Sequence, residues 1–302
     1  MTVDAVMIDQ ERARPPFLVQ WLTWPIGLVA SIVLVTHAGR LGLSPIAVSS
    51  ACIGACAVSL VVLEALWPAR DAWRMSWRSL LRDIQFFAVN GASIFATNLA
   101  FSWIGVELGK GHSGVLTGVP LIVAVPVAIF VVDFFQYWQH RISHEAPGPF
   151  GRILWRAHAA HHLPEQVYVL MHPAGHPINI FIVRGLATVL PHFLLGASAE
   201  TVVLANLMIG IQGLYSHTNL DLRAGWFNYI FVGTELHRYH HSADMAESGN
   251  YAVALSLIDL MFGSFVYRPG DLPEQVGVDA PAAYPPSGDV LKILALPFRR
   301  DR

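Results

Sequence analysis

Charge is what this chain has least of. Of its 302 residues, 13% are charged and 54% are hydrophobic, whereas a soluble globular domain carries about 25% charge. That shortfall excludes an ordinary soluble enzyme and fits a polytopic membrane protein. Cysteine is nearly absent. Cys52 and Cys56 lie four apart in an apolar run, a spacing that reads as small packing residues and implies no disulfide framework. The net charge is −2 with no basic stripe, so no nucleic-acid partner is indicated. The first residues carry Asp4, Asp9, Glu11, Arg12 and Arg14, not the basic start and immediate apolar stretch of a secretory signal. Residues 1–16 read as a retained polar tail.

Apolar runs are plentiful. A helix needs roughly 20 apolar residues to cross a bilayer, and four runs qualify: about Phe17 to Val35, Pro45 to Trp67, Ile84 to Ile104 and Val115 to Trp138. Pro25, Pro120 and Pro126 fall inside them, which membrane helices tolerate. The loop after the second run holds Arg70, Arg74, Arg78 and Arg82, against Arg40 and Lys110 in its neighbours. The positive-inside rule puts the arginine-rich loop, and with it the end of the fourth span, in the cytoplasm. A further apolar stretch, about Ile178 to Tyr215, is split near Gly196 and Ser198 and reads as a hairpin that enters the membrane and returns. The expected fold is all-α: about four spanning helices over 17–139, then a region 140–267 containing the re-entrant hairpin 178–215, with a cytosolic histidine-rich helical cap. Residues 268–302 hold six prolines and read as a tail. The preference for arginine over lysine points weakly to a bacterial inner membrane.

Histidine is present in an unusual pattern. His140-x-x-x-His144, His158-x-x-His161-His162 and His237-x-x-His240-His241 place eight imidazoles at helical spacings of three and four, so each cluster turns its rings to one helix face. A single tetrahedral ion takes only four protein ligands, so eight converging rings imply at least two ions. Nitrogen-rich ligation suits iron, copper, zinc or nickel, and ligand type alone does not choose among them. There is no Glu-x-x-His of the soluble di-iron bundles, and His144-Glu145 is followed by Ala-Pro-Gly rather than completing a zinc-peptidase motif. His37 and His112 read as solvated, His172 as polar surface in a Pro-rich loop, and His192 as a core residue within the hairpin.

These residues carry a resemblance. Asp133-Phe-Phe-Gln-Tyr137-Trp-Gln-His140-Arg141-Ile-Ser-His144 is followed by His158-Ala-Ala-His161-His162. Then come His217-Thr-Asn219, Glu235-Leu-His237-Arg238-Tyr-His240-His241-Ser242, Asn250-Tyr251 and Asp259-Leu-Met-Phe262-Gly263. In order and spacing this stretch, roughly 130–267, resembles the fatty acid hydroxylase/sterol desaturase superfamily of integral-membrane histidine-box di-iron enzymes. The resemblance implies two iron ions that activate O₂ against an unactivated C–H bond of a lipid acyl chain, sterol or related isoprenoid. It implies the eight clustered histidines as ligands, with His217 and His176, which precedes Pro177, added from family positions. Some family members carry a further paired histidine four residues from His217, where this chain has Gly213 and Asp221.

Asp133 lies seven residues before His140, on the same helical face. Carboxylates often fix the tautomer of a metal-bound imidazole, so Asp133, Glu235 and Asp259 are expected in that role. Tyr137 and Asn219 are expected to orient a ligand or a water. The chain shows no haem-attachment motif and no strand-flanked nucleotide loop, so electrons are expected from a separate ferredoxin, cytochrome or reductase. Hydroxylation is preferred over desaturation. Two alternatives remain open from sequence: a membrane metal transporter or storage protein, whose ligands would run along the spans, and a binuclear zinc membrane hydrolase, which would want bridging carboxylates. Oligomeric state is not legible.

Overall fold

The computed structural model of the protein describes residues 14–108 and 113–299. Lys110, His112, most of the polar tail and the last three residues lie outside the described residues. Everything regular is helical: α1 Phe17–Ala38, α2 Pro45–Leu66, α3 Trp77–Leu108, α4 Leu121–Glu145, α5 Gly148–His162, α6 Pro177–Val189, α7 Ala199–Ser216, α8 Thr234–His240, α9 Ser256–Phe262 and α10 Val290–Ala295. A π turn, Leu190–Leu194, extends α6. Among the described residues no strand forms, only isolated bridges such as Pro68 with Leu220.

Among the described residues, four stretches are long and apolar enough to cross a membrane: Phe17–Leu41, Pro45–Leu66, Leu121–Glu145 and Pro177–Leu194. The first arm of the hairpin is among these stretches. The run 84–104 lies inside α3, but that helix starts at Trp77 and takes in Arg78, Arg82 and Asp83. Arg82 and Asp83 are buried and paired at 2.7 Å, so this polar stretch faces protein. Pro120 does not interrupt α4 as expected. It caps the helix, which begins at Leu121, while Pro25 and Pro126 do lie within helices. Large apolar side chains of α1, α2 and α4, among them Phe17, Ile26, Val33, Val58 and Ile122, point outward. A soluble protein would not expose so much contiguous apolar surface, and a bilayer accommodates it.

α7 is the central strut. Leu207 and Ile211 are fully buried, and α1, α2, α4 and α8 pack around it. Three buried carboxylates then tie the histidine-bearing segments to the bundle through the backbone. Glu64 of α2 accepts from Val169 N (3.1 Å), Asn219 N (2.9 Å) and the Thr218 hydroxyl (3.2 Å). Asp133 of α4 accepts from the amides of Val253, Ala254 and Leu255. Asp259 of α9 accepts from Tyr251 N, Ala252 N and the Ser264 hydroxyl. Each acid satisfies donors that an irregular buried chain would otherwise leave unpaired.

Candidate metal centre

α4 ends on His140 and His144. After the turn at Ala146–Pro147, α5 runs back beside it, carrying His158, His161 and His162. His217 follows directly on α7, and α8 presents His237 and His240 with His241 at its C-terminal cap. The rings meet in two groups whose candidate ligand atoms lie within 4.8 Å of one another: His140, His144, His158, His162 and His240 in one, and His161, His217, His237 and His241 in the other. In the first group, Nε2 of His158 lies 2.8 Å from that of His140 and 3.0 Å from that of His162. His240 and His162 approach to 3.2 Å. In the second, Nε2 of His217 lies 2.9, 3.0 and 3.4 Å from those of His237, His161 and His241.

Hydrogen bonding decides what those contacts mean. A backbone carbonyl only accepts, so a ring nitrogen bonded to one carries the proton. Nδ1 of His140 donates to Tyr251 O (2.7 Å), of His161 to Ala174 O (3.1 Å), of His217 to Gly213 O (2.7 Å) and of His240 to Gly249 O (2.9 Å). In these neutral rings Nε2 is a bare lone pair. His161 and His217 thus aim two lone pairs at each other across 3.0 Å, an arrangement that is repulsive unless a cation lies between them. Two ligands on one ion, at metal–nitrogen bonds of about 2.0–2.1 Å, stand roughly 3.0–3.4 Å apart. The donor set and its spacing fit metal ions.

Protonation would be the other source of positive charge, and burial opposes it. Desolvation pushes His161 down to about 4 and holds His158, His162, His217, His237, His240 and His241 well below the usual histidine value, with like-charged neighbours adding to the effect. The linkage has a definite sign. A folded-state value below the unfolded one, about 6.5, means that the unfolded chain binds more protons at mildly acid pH. Metal-stripped protein is therefore expected to lose stability steadily as pH falls from about 6.5 toward 4, measured as unfolding temperature across that range in detergent.

Nine of the ten histidines expected as ligands are in these groups. His176 is not: its Nδ1 accepts from Ile178 N (3.1 Å) as the N-cap of α6, and its Nε2 donates to Leu294 O (3.0 Å), which leaves no lone pair for an ion. The carboxylates also differ from expectation. Asp133 and Asp259 bond backbone amides and a serine, and Glu235 bonds Arg223 (3.0 Å), Ala224 N and Asn228 (2.7 Å); none bonds a histidine. Asp133 and Asp259 instead fix residues 251–255, whose Tyr251 carbonyl receives the proton of His140. Tyr137 meets Ser264 (2.9 Å) and Arg141 (2.8 Å). Asn219 is paired in both directions with the backbone of Arg70 (3.0 and 2.9 Å). Both are joints of the scaffold rather than neighbours of the rings.

His172 corrects the expectation in the opposite direction. It is not surface. Its Nδ1 lies 3.2 Å from that of His217, and the ring centroids are 4.6 Å apart. It fits because position 213 has no side chain: a Cβ there would stand 2.5 Å from His172 Cε1. Gly213→Ala is accordingly expected to displace His172 and strain the His217 hydrogen bond, cutting metal occupancy or activity by about 10–100-fold, the usual range for loss of a ligand's support. The double variant with His172→Ala should recover metal content. His37 and His192 lie outside both groups.

A cavity of about 230 Å³ is lined by His140, His158, His161, His172, His217 and His237. Its walls come from one face of α6 (Ile180, Val183, Ala187) and one face of α7 (Ile209, Gly210, Gly213), with α3 and α4 completing it. Apolar faces of two helices, together with Asn90, Gln136 and Arg184, thus share a cavity with the imidazoles.

The fold and the paired imidazole groups define a multi-pass helical membrane protein with a candidate two-metal centre. The family model for fatty acid hydroxylases matches residues 125–264, which hold every histidine of both groups. The ornithine lipid hydroxylase OlsE of Rhizobium tropici is similar at 28% identity over 97% of this chain and 88% of its own length. Methylsterol monooxygenase 2-2 of Arabidopsis thaliana is 27% identical over 44% of this chain and 49% of its own. Very-long-chain aldehyde decarbonylase GL1-11 of Oryza sativa subsp. indica is 28% identical over 48% and 53%. The chain spans about half the length of these last two relatives. No solved structure matches it.

Proposed function

We propose that the two histidine groups hold a pair of iron ions and that the chain oxidises a lipid with O₂, by hydroxylation in preference to desaturation. The observation that carries this is the set of converging Nε2 lone pairs lining a cavity between helices. Bound iron would supply O₂ activation against an unactivated C–H bond. Hydroxylation balances as C–H plus O₂, two electrons and two protons giving C–OH and water. The electrons come from a separate ferredoxin, cytochrome or reductase.

The chain's own residues do the rest. The carbonyls of Tyr251, Ala174, Gly213 and Gly249 keep four ring protons on Nδ1, so that Nε2 is available and aimed. Asp133 and Asp259 hold the 251–255 segment, and with it the His140 ring. The apolar faces of α6 and α7 admit an acyl chain or sterol from the bilayer while excluding water, which strengthens every charge interaction inside. Residues 140–267 form the catalytic unit, with the hairpin 178–215 entering from the same face. The positive-inside reading of the arginine-rich 70–82 region supports a cytoplasmic histidine end, and the arginine-over-lysine bias supports a bacterial inner membrane.

A transporter would spread its ligands along the spans, and a binuclear zinc hydrolase would bring carboxylates into its site. Both groups contain histidine alone and lie at one end. The test is to supply purified, iron-loaded protein with O₂, a reducing system and a lipid extract. A lipid product about 16 mass units heavier, dependent on iron, is expected for hydroxylation and a loss of about 2 for desaturation. Lipid cleavage with bound zinc would overturn the assignment.

A further inference from the structure

Arg184 stands inside the first hairpin arm, in Ile180-Phe-Ile-Val-Arg184-Gly-Leu-Ala. An ionisable group in a stretch long and apolar enough to span a membrane is costly, and it marks function unless a partner is found. Buried and half-buried arginines elsewhere have one, whereas Arg184 is exposed. Arg82 pairs with Asp83 at 2.7 Å and Arg223 with Asp221 and Glu235 at 2.9 and 3.0 Å. Arg238 donates to the carbonyls of Thr218 and Leu220. Arg184 has neither ion pair nor hydrogen bond among the described residues, and it lines the cavity that the histidines also line.

The same cavity carries two unpaired acceptors. Asn90 and Gln136 are each 2% exposed. The Asn90 amide nitrogen donates to Pro173 O and that of Gln136 to Val183 O (3.3 Å). Because carbonyls only accept, both amides are oriented, and Asn90 Oδ1 and Gln136 Oε1 remain buried without a partner. Buried polar atoms in a folded protein are almost always satisfied, so a cavity holding an unpaired cation and two unpaired acceptors is complementary to a particular ligand chemistry.

We infer that the cavity receives the head end of an acidic lipid, with a carboxylate or phosphate on Arg184 and N–H or O–H donors on Asn90 Oδ1 and Gln136 Oε1. Guanidinium suits either anion, through paired N–H donors. The inference rests on the lipid-oxidation reading and narrows it. An acylated amino acid has the required set, an acid with an amide N–H beside it; a plain hydrocarbon or a sterol does not.

Metal-loaded protein in phosphatidylcholine nanodiscs, without reductant, is titrated with N-palmitoylglycine, its methyl ester and hexadecyl phosphate. The wild type is expected to bind at least one acid about tenfold more tightly than the ester, the size of a charge-assisted contact. Whichever acid gains more identifies the anion as carboxylate or phosphate. Arg184→Met should erase the gap while still binding the ester, and Arg184→Lys should keep part of it. Equal wild-type affinities, a gap that survives Arg184→Met, or an Arg184→Lys protein without any gap would each overturn the inference. Binding is read without turnover. Intact discrimination with no oxidised product would defeat the oxidation reading alone, and turnover without discrimination would defeat only this one.

Discussion

His217→Ala is expected to empty the second histidine group and abolish lipid oxidation, while His37→Ala leaves both metal content and turnover unchanged. His217 is the hub of its group, its Nε2 within 2.9–3.4 Å of three others. Removing it leaves His161, His237 and His241 without the ring that all three approach. Metal content should fall by about half and activity by well over 100-fold, since the loss of a ligand's mere support already costs about 10–100-fold. His161→Ala should behave alike, because His161 faces His217 lone pair to lone pair. Elemental analysis of each variant alongside a lipid-oxidation assay checks this. Full metal occupancy in His217→Ala would remove the site assignment.

Asp133→Ala is expected to destabilise the protein by about 3–5 kcal/mol, because it strips three backbone amides of their acceptor and each buried unpaired donor costs about 1–3 kcal/mol. Its second consequence is more discriminating. The amides belong to residues 253–255, two positions beyond the carbonyl that orients His140. Loosening them should weaken the five-histidine group and spare the four-histidine group, whose rings are held by Ala174 and Gly213 instead. Chemical unfolding in mixed micelles gives the stability, and metal analysis of the folded fraction gives the occupancy. Equal loss from both groups would show that Asp133 acts only on the fold.

The clustered histidines were legible because spacings of three and four are a local property of a helix, and α4, α5 and α8 form where that spacing requires. His217 entered from family resemblance. What escaped the sequence depends on chain segments far apart in order. His172 sits in a proline-containing loop and becomes a neighbour of the site only because Gly213, on another helix, leaves room for its ring. His176 has the look of a ligand, but Pro177 starts a helix there and the ring is used as its cap. Acids in apolar surroundings were recognisable as needing partners. That the partners are backbone amides rather than imidazoles follows from the path of residues 249–255, which no periodicity encodes. The hydrophobic run 84–104 was visible, whereas the seven residues by which α3 extends N-terminally, with their buried Arg82–Asp83 pair, were not. Arg184 is visible in the sequence as a charge within an apolar stretch, whereas the cavity it lines depends on the packing of four helices.

The central claim is that imidazoles from α4, α5, the end of α7 and α8 bind two iron ions through nitrogen. X-ray absorption at the iron edge, combined with metal-to-protein ratio on purified protein, tests it most directly. The account predicts about two irons per chain, each surrounded chiefly by nitrogen donors. A single metal per chain, zinc in place of iron after iron-replete growth, or an oxygen-dominated shell would contradict it.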